Sequence, residues 1–176
     1  MLSSASAPGA SRTTPGPDLI VSALKTAGID FVAGLPESKL ARLQELIEAD
    51  AQFTWVTVCR EEEAIGVATG AFYGGRKAAV MMQNGGLLES VNALSSTAIM
   101  FEIPMVLLVY YAGDINDRFF SSVGRHTEPI LQALGIRYFT LRDKAQIESI
   151  ITGAQVLAED SQQPVAVLLT KPVLLE

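Results

Sequence analysis

The chain has 176 residues, a length suited to one domain, and its 49% hydrophobic and 18% charged residues supply a core while excluding a disordered chain. Thirteen Lys and Arg against nineteen Asp and Glu give a net charge of −6, which argues against binding the phosphate backbone of a nucleic acid. One Cys and one His exclude both an internal disulfide framework and a Cys/His zinc site.

Residues 1–17 are mainly Ala, Ser, Thr, Gly and Pro without apolar periodicity, and they read as a disordered tail ahead of one domain over 18–176. With no secretory apolar segment, the expected location is cytoplasmic. Asp18 is placed to cap a helix carrying Ile20, Leu24 and Ala27, which Gly28 stops. A short strand, Phe31 to Ala33, breaks at Gly34-Leu35-Pro36, and Ser38 is placed to cap a second helix with Leu40, Leu43, Leu46 and Ile47 on one face. Phe53 to Val58 reads as a strand and Glu61 to Phe72 as a helix rich in small residues. Ala78 to Met82 is the next strand, and a helix follows Gly85-Gly86 as far as Ala98. Pro104 opens the most apolar strand, Met105 to Tyr110. Thr127-Glu128-Pro129 starts a short helix ended by Gly135, Arg137 to Leu141 is a strand, and Asp143 caps a helix reaching Ala158. A last strand runs from Val165 to Leu169.

Short continuous apolar strands separated by helices describe an α/β fold: a doubly wound, mostly parallel six-stranded sheet with helices on both faces. Burial on both faces, or a subunit interface, accounts for a mean hydropathy of +0.31 in a chain with no apolar run near the ~20 residues of a membrane span. Ligands of such sheets gather beyond the carboxyl ends of the strands. Those loops are Gly34–Ser38, Cys59–Glu63, Gln83–Leu87 and Tyr111–Arg125.

The common nucleotide signatures are missing: no strand-to-helix turn carries GxGxxG, and there is no Walker loop. Glu61-Glu62-Glu63 stands where a strand hands over to a helix. Acids there complement the helix dipole, but Gly66 and Gly70 each cost about 0.8–1.0 kcal/mol inside a helix, and such a stripe suits the close approach of another backbone or a flat ligand. Gln83-Asn84-Gly85-Gly86 reads either as a polar turn or as a set of fixed donors and acceptors for a heterocycle or keto acid. His126 is a surface or site imidazole, Gly124-Arg125-His126-Thr127 is a candidate anion site near a helix start, and Cys59 reads as a buried thiol at a strand end.

Together these segments resemble the pyrimidine-binding part of thiamine-diphosphate-dependent 2-oxoacid decarboxylases. The resemblance rests on Arg60 through Gly70, Met82 through Leu87, Ile103-Pro104-Met105, Thr127-Glu128-Pro129 and Leu134-Gly135-Ile136, in that order. It spans Asp18 to Pro172 and points to the sulfopyruvate and phosphonopyruvate decarboxylase branch, with a length like that of its alpha-type subunits. It implies that Glu61 hydrogen-bonds a ring nitrogen of the cofactor's aminopyrimidine and so promotes loss of the thiazolium proton. It further implies Pro36, Gln83 and Asn84 as cofactor contacts, and Glu37, Gln83, Asn84, Arg125 and His126 as substrate contacts. In that family the magnesium and the diphosphate are held by a Gly-Asp-Gly segment with a downstream Asn. No Gly-Asp-Gly occurs here. The implied assembly is a hetero-oligomer in which a beta-type subunit holds the metal and diphosphate, acting on a small 2-oxoacid such as 3-sulfopyruvate or 3-phosphonopyruvate.

Two segments depart from the family pattern. Glu89 stands where an Asn is usual, and Tyr111-Ala112-Gly113-Asp114 replaces a loop with Arg before Gly. They leave open a carboligase that traps the same carbon nucleophile with an aldehyde, and a scaffold subunit without chemistry.

Overall fold

Along one strand, Val106, Leu108 and Tyr110 alternate with Met105, Leu107 and Val109, and all six are buried. A strand with no solvated side must lie inside a sheet covered on both faces. The computed structural model, which describes residues 14–175, shows that sheet. Its strands are β1 (Phe31–Gly34), β2 (Thr54–Thr57), β3 (Ala78–Gln83), β4 (Met105–Tyr110), β5 (Arg137–Leu141) and β6 (Pro164–Leu169), ordered β2-β1-β3-β4-β6-β5. All five pairings are parallel, so the mostly parallel sheet expected from the sequence is parallel throughout.

The helices are α1 (Gly16–Thr26), α2 (Ala41–Glu48), α3 (Glu61–Tyr73), α4 (Asn84–Glu89), α5 (Val91–Ala93), α6 (Ser121–Ala133), α7 (Ile147–Ser161) and α8 (Lys171–Leu175). Helices α1, α2, α7 and α8 share one core with Ala79, Met81, Val106 and Leu108 of the sheet. The opposite face buries Ala64, Ile65 and Ala68 of α3, Leu87 of α4 and Leu131 of α6 against Val80, Met82, Leu107 and Val109. Among the described residues no helix is long and apolar enough to cross a membrane.

Local differences from the sequence reading have physical causes. Residues 1–13 of the expected tail lie outside the described residues, but the domain starts before Asp18. Gly16 and Pro17 are buried in the first turn of α1, where a Cβ on Gly16 would stand 1.7 Å from the Val173 carbonyl oxygen of α8. Asp18 is therefore a first-turn acid inside the helix. Before α2 the capping acceptor is Glu37 and not Ser38. Its carboxylate takes the N–H groups of Lys39 (2.6 Å) and Leu40 (3.1 Å), while Ser38 donates its hydroxyl to Glu37. The helix after β3 starts at Asn84, ends a first segment at Ser90 and closes in a π-helical segment, Leu94–Ile99. Helix α6 starts six residues before Thr127, and Pro129 lies inside it. Asp143 does cap, accepting the Ala145 N–H at 2.9 Å in a 3₁₀ turn that leads into α7.

β1 passes between β2 and β3 at close range. A Cβ on Gly34 would lie 2.4 Å from the Met81 carbonyl oxygen and 2.9 Å from Trp55 Cη2. Gly34→Ala is expected to destabilise the chain by about 1–3 kcal/mol through overpacking against rigid backbone. A melting temperature lowered by about 2–4 °C per kcal/mol is the check.

Candidate functional site

In the strand order, β2 and β3 lie on either side of β1, so the chain reverses its direction of winding between β1 and β3. The connection after β1 runs to the α2 face and the connection after β3 to the α4 face, which opens a crevice at the carboxyl edge. Helix α3 crosses over β1 and β3 and begins at that edge, directly after β2.

The three acids at the head of α3 have three different jobs. Glu63 Oε2 accepts the backbone N–H groups of Cys59 (2.9 Å) and Arg60 (3.2 Å), closing the first turn. Glu62 pairs with Arg60 Nε at 3.3 Å. Glu61 is half-buried and makes no hydrogen bond or ion pair with any described residue. Its place is set by Gly86 in the first turn of α4, where a Cβ would stand 2.2 Å from Glu61 Cγ and 2.5 Å from Oε1. Glycine at 86 therefore leaves the volume that the Glu61 carboxylate fills, a role that nothing along the chain signals beyond the Gly85-Gly86 pair.

Arg60 also binds Glu89 at the end of α4. Glu89, then Glu62, pushes the Arg60 guanidinium above its ordinary range. The acid at 89 is thus neutralised from the head of the neighbouring helix α3. Asp114, the other acidic departure, is likewise matched, by a two-pronged contact from Arg142 in which Nη2 lies 2.9 Å from Oδ1.

Asn84 is fully buried, and both hydrogens of its amide are committed. It donates to the Ala112 carbonyl and to Thr127 Oγ1, each at 2.8 Å, and Thr127 passes its own proton to the Val123 carbonyl at 2.9 Å. This amide binds the head of α4 to the loop after β4 and to α6, and leaves its Oδ1 as a buried acceptor without a partner among the described residues. Gln83, one residue earlier, is half-exposed at the end of β3. Across the crevice Pro36 is exposed, and Glu37 is spent on its own turn.

The loop after β4 is anchored by Tyr110, whose hydroxyl donates to Asp117 Oδ2 at 2.7 Å, and the Gly113 N–H reaches the same oxygen at 3.2 Å. Burial first, then Asp117 and the charge of Glu37, holds the Tyr110 phenol above its usual range. Tyr111 is held up the same way by burial and by Glu128, to which it donates at 2.9 Å; Tyr138 donates to the other oxygen of Glu128 at 3.1 Å. Neither hydroxyl carries a functional signal in the sequence, because both tyrosines sit in or against an apolar strand. Arg125 and His126 are exposed in the second turn of α6 and so are not at its N-terminus, and Gly124 beside them packs where a Cβ would stand 2.6 Å from the Gly113 carbonyl oxygen. Cys59 is exposed, because β2 ends before it. The structure thus brings Glu61 to Gly86 and Asn84 to Thr127, and leaves Arg125 and His126 on a solvent-facing turn.

Residues 15–118 match the family model described as thiamine pyrophosphate enzyme, N-terminal TPP binding domain. The chain belongs to this family. It is 33% identical over 154 residues to sulfopyruvate decarboxylase subunit alpha of Methanococcus maripaludis, covering 86% of this chain and 92% of that one. It is 27% identical over 157 residues to a sulfopyruvate decarboxylase of Methanosarcina acetivorans, of which the match covers 39%. In fold it is similar to a 2-oxoglutarate:ferredoxin oxidoreductase from Magnetococcus marinus, with a TM-score of 0.71 at 20% identity, covering 92% of this chain and 29% of that chain.

Asn84→Ala removes both donors of the buried clamp and strands the Ala112 carbonyl. A loss of about 1–3 kcal/mol is expected, read as a lower denaturation midpoint with an unchanged slope on denaturant.

Proposed function

We propose that this chain is the alpha-type subunit of a thiamine-diphosphate-dependent decarboxylase of a small 2-oxoacid that carries a sulfonate or phosphonate tail. The observation that carries the reading is Glu61. Among the described residues it alone of the three acids lacks a partner, it is held at the carboxyl edge by the space Gly86 leaves, and it stands in the segment that matches the family. The residues present fit the cofactor's pyrimidine: a free carboxylate to exchange a proton with a ring nitrogen, and a half-exposed amide, Gln83, to meet its polar edge. Thiamine diphosphate, when bound, supplies the electron sink for the carbon that loses carbon dioxide. The chain's own part is to hold the pyrimidine and to move one proton at Glu61. Asn84 contributes from beneath by holding α4, and with it Gly86, in register with the loop after β4. Arg125 and His126, exposed on the second turn of α6, have no part in this reading.

The metal and diphosphate are assigned to a beta-type partner in a cytoplasmic hetero-oligomer. Supporting this, the M. maripaludis relative is named as an alpha subunit, whereas the matching stretch in the M. acetivorans protein is a minor part of a longer chain. Helix α3 offers a surface for such a partner. Among the described residues nothing lies within 4 Å of a Cβ position at Gly66 or Gly70, and with Glu62 and Tyr73 they form one outward stripe; Met100 and Phe101, which follow the segment Leu94–Ile99 that packs on α3, are exposed as well.

Assayed with its co-purified partner, thiamine diphosphate, magnesium and 3-sulfopyruvate, the wild-type chain is expected to release carbon dioxide. Glu61→Gln should lower kcat by about 10²–10⁴-fold, the usual range for a proton-transfer group. Gly86→Ala, which keeps Glu61 but displaces it, should lower kcat without abolishing partner binding on a sizing column. Turnover of Glu61→Gln within about tenfold of wild type would remove the proton-transfer role, and new carbon–carbon bonds in place of carbon dioxide release to an aldehyde would mark a carboligase.

A further inference from the structure

In a chain of net charge −6, cations without partners stand out. Lys25, Arg42, Arg60, Arg76, Lys77 and Arg142 each have a carboxylate partner. Lys39, Arg118 and Lys171 make no ion pair with any described residue, yet they line one cavity of about 320 Å³ together with Asn116, Phe119 and Phe120. They come from three separate connections, after β1, after β4 and after β6, so the parallel sheet and not local sequence gathers them at the carboxyl edge. The acid that also lines the cavity, Asp117, is already occupied by the Tyr110 hydroxyl and the Gly113 N–H. Nearby Glu37 is folded back onto the N–H groups of Lys39 and Leu40. Both carboxylates accept neutral donors, and among the described residues neither forms an ion pair with the three cations; Phe119 and Phe120 lie exposed beside them.

From this juxtaposition we infer that Lys39, Arg118 and Lys171 form the site that takes the tetrahedral oxyanion tail, sulfonate or phosphonate, of the 2-oxoacid. This identity of the anion rests on the decarboxylase reading; the anion site itself does not. Three positive charges match an oxyanion with three acceptor oxygens, and Arg118 supplies the planar donor set suited to it. Along the edge, the connections after β2 and β3 hold Glu61 and Gly86, and those after β1, β4 and β6 hold the three cations. The two sets therefore interleave, with proton chemistry on the α3 face of the crevice and the tail on the α2 face. Only an anionic tail pairs with the three charges, so the site favours such a 2-oxoacid over one with a neutral tail.

The test uses the full chain labelled with ¹⁵N and titrated with ethanesulfonate, ethylphosphonate, and sodium chloride at matched ionic strength. Both oxyanions are expected to give saturable amide shifts confined to Lys39, residues 116–120 and Lys171, with chloride giving none. Arg118→Gln and Lys171→Gln should each weaken binding by about three- to tenfold with an unchanged melting temperature. Equal shifts with chloride, shifts spread to exposed Arg137, or wild-type binding by both variants would overturn the site. The decarboxylase reading fails separately: if Glu61→Gln keeps full turnover while ethanesulfonate still binds here, that reading falls and the oxyanion site stands.

Discussion

A sheet buried on both faces has only its two ends left for chemistry, and the rest of this structure follows from that constraint. The central strands spend their side chains on packing up to their carboxyl ends: Met81 and Leu108 into one helical layer, Met82 and Val109 into the other. Because all six strands point the same way, the loops at one end all follow strands and precede helices, so polar side chains and free backbone N–H groups converge there. Glu61, Gln83, Asn84, Tyr110 and the cations of the neighbouring loops share an edge for this reason, although they are far apart in sequence.

At that edge, selectivity comes from which charges are already paired. Glu62, Glu63, Glu89, Asp114 and Asp117 each have a defined partner, and Glu61 has none among the described residues. The two acids that depart from the family pattern, Glu89 and Asp114, are both matched by an arginine, Arg60 and Arg142. The departures therefore alter the walls of the crevice without adding free negative charge to it.

Much of the architecture was legible because buried parallel strands write themselves as short apolar runs; Met105 to Tyr110 is the clearest. Where the sequence misled, tertiary contacts had replaced the local signals. The first two turns of α6 carry no apolar stripe beyond Val123, since Gly124 and Thr127 are there to meet Gly113 and Asn84 and not to fill a core. Pro129 then looked like a helix start. Ser38 looked like a cap, but the stronger acceptor one residue earlier took the backbone. In the site, the position of Glu61 could be read from its segment, whereas its cradle could not: that Gly86 must lack a side chain is a fact about two helices meeting, invisible along either one. Asn84 was legible as important and not as a clamp, because its partners lie 28 and 43 residues away.

The outward glycines of α3 have a consequence for how this chain would exist on its own. Each weakens its helix by about 0.8–1.0 kcal/mol relative to alanine, and among the described residues nothing lies within 4 Å of either Cβ position to offset that cost. A second chain laid against the stripe would make up the deficit in the helix that carries Glu61. Through mass action, the rigidity of that helix becomes a function of subunit concentration. Dilution would then loosen the helix before the domain as a whole unfolds.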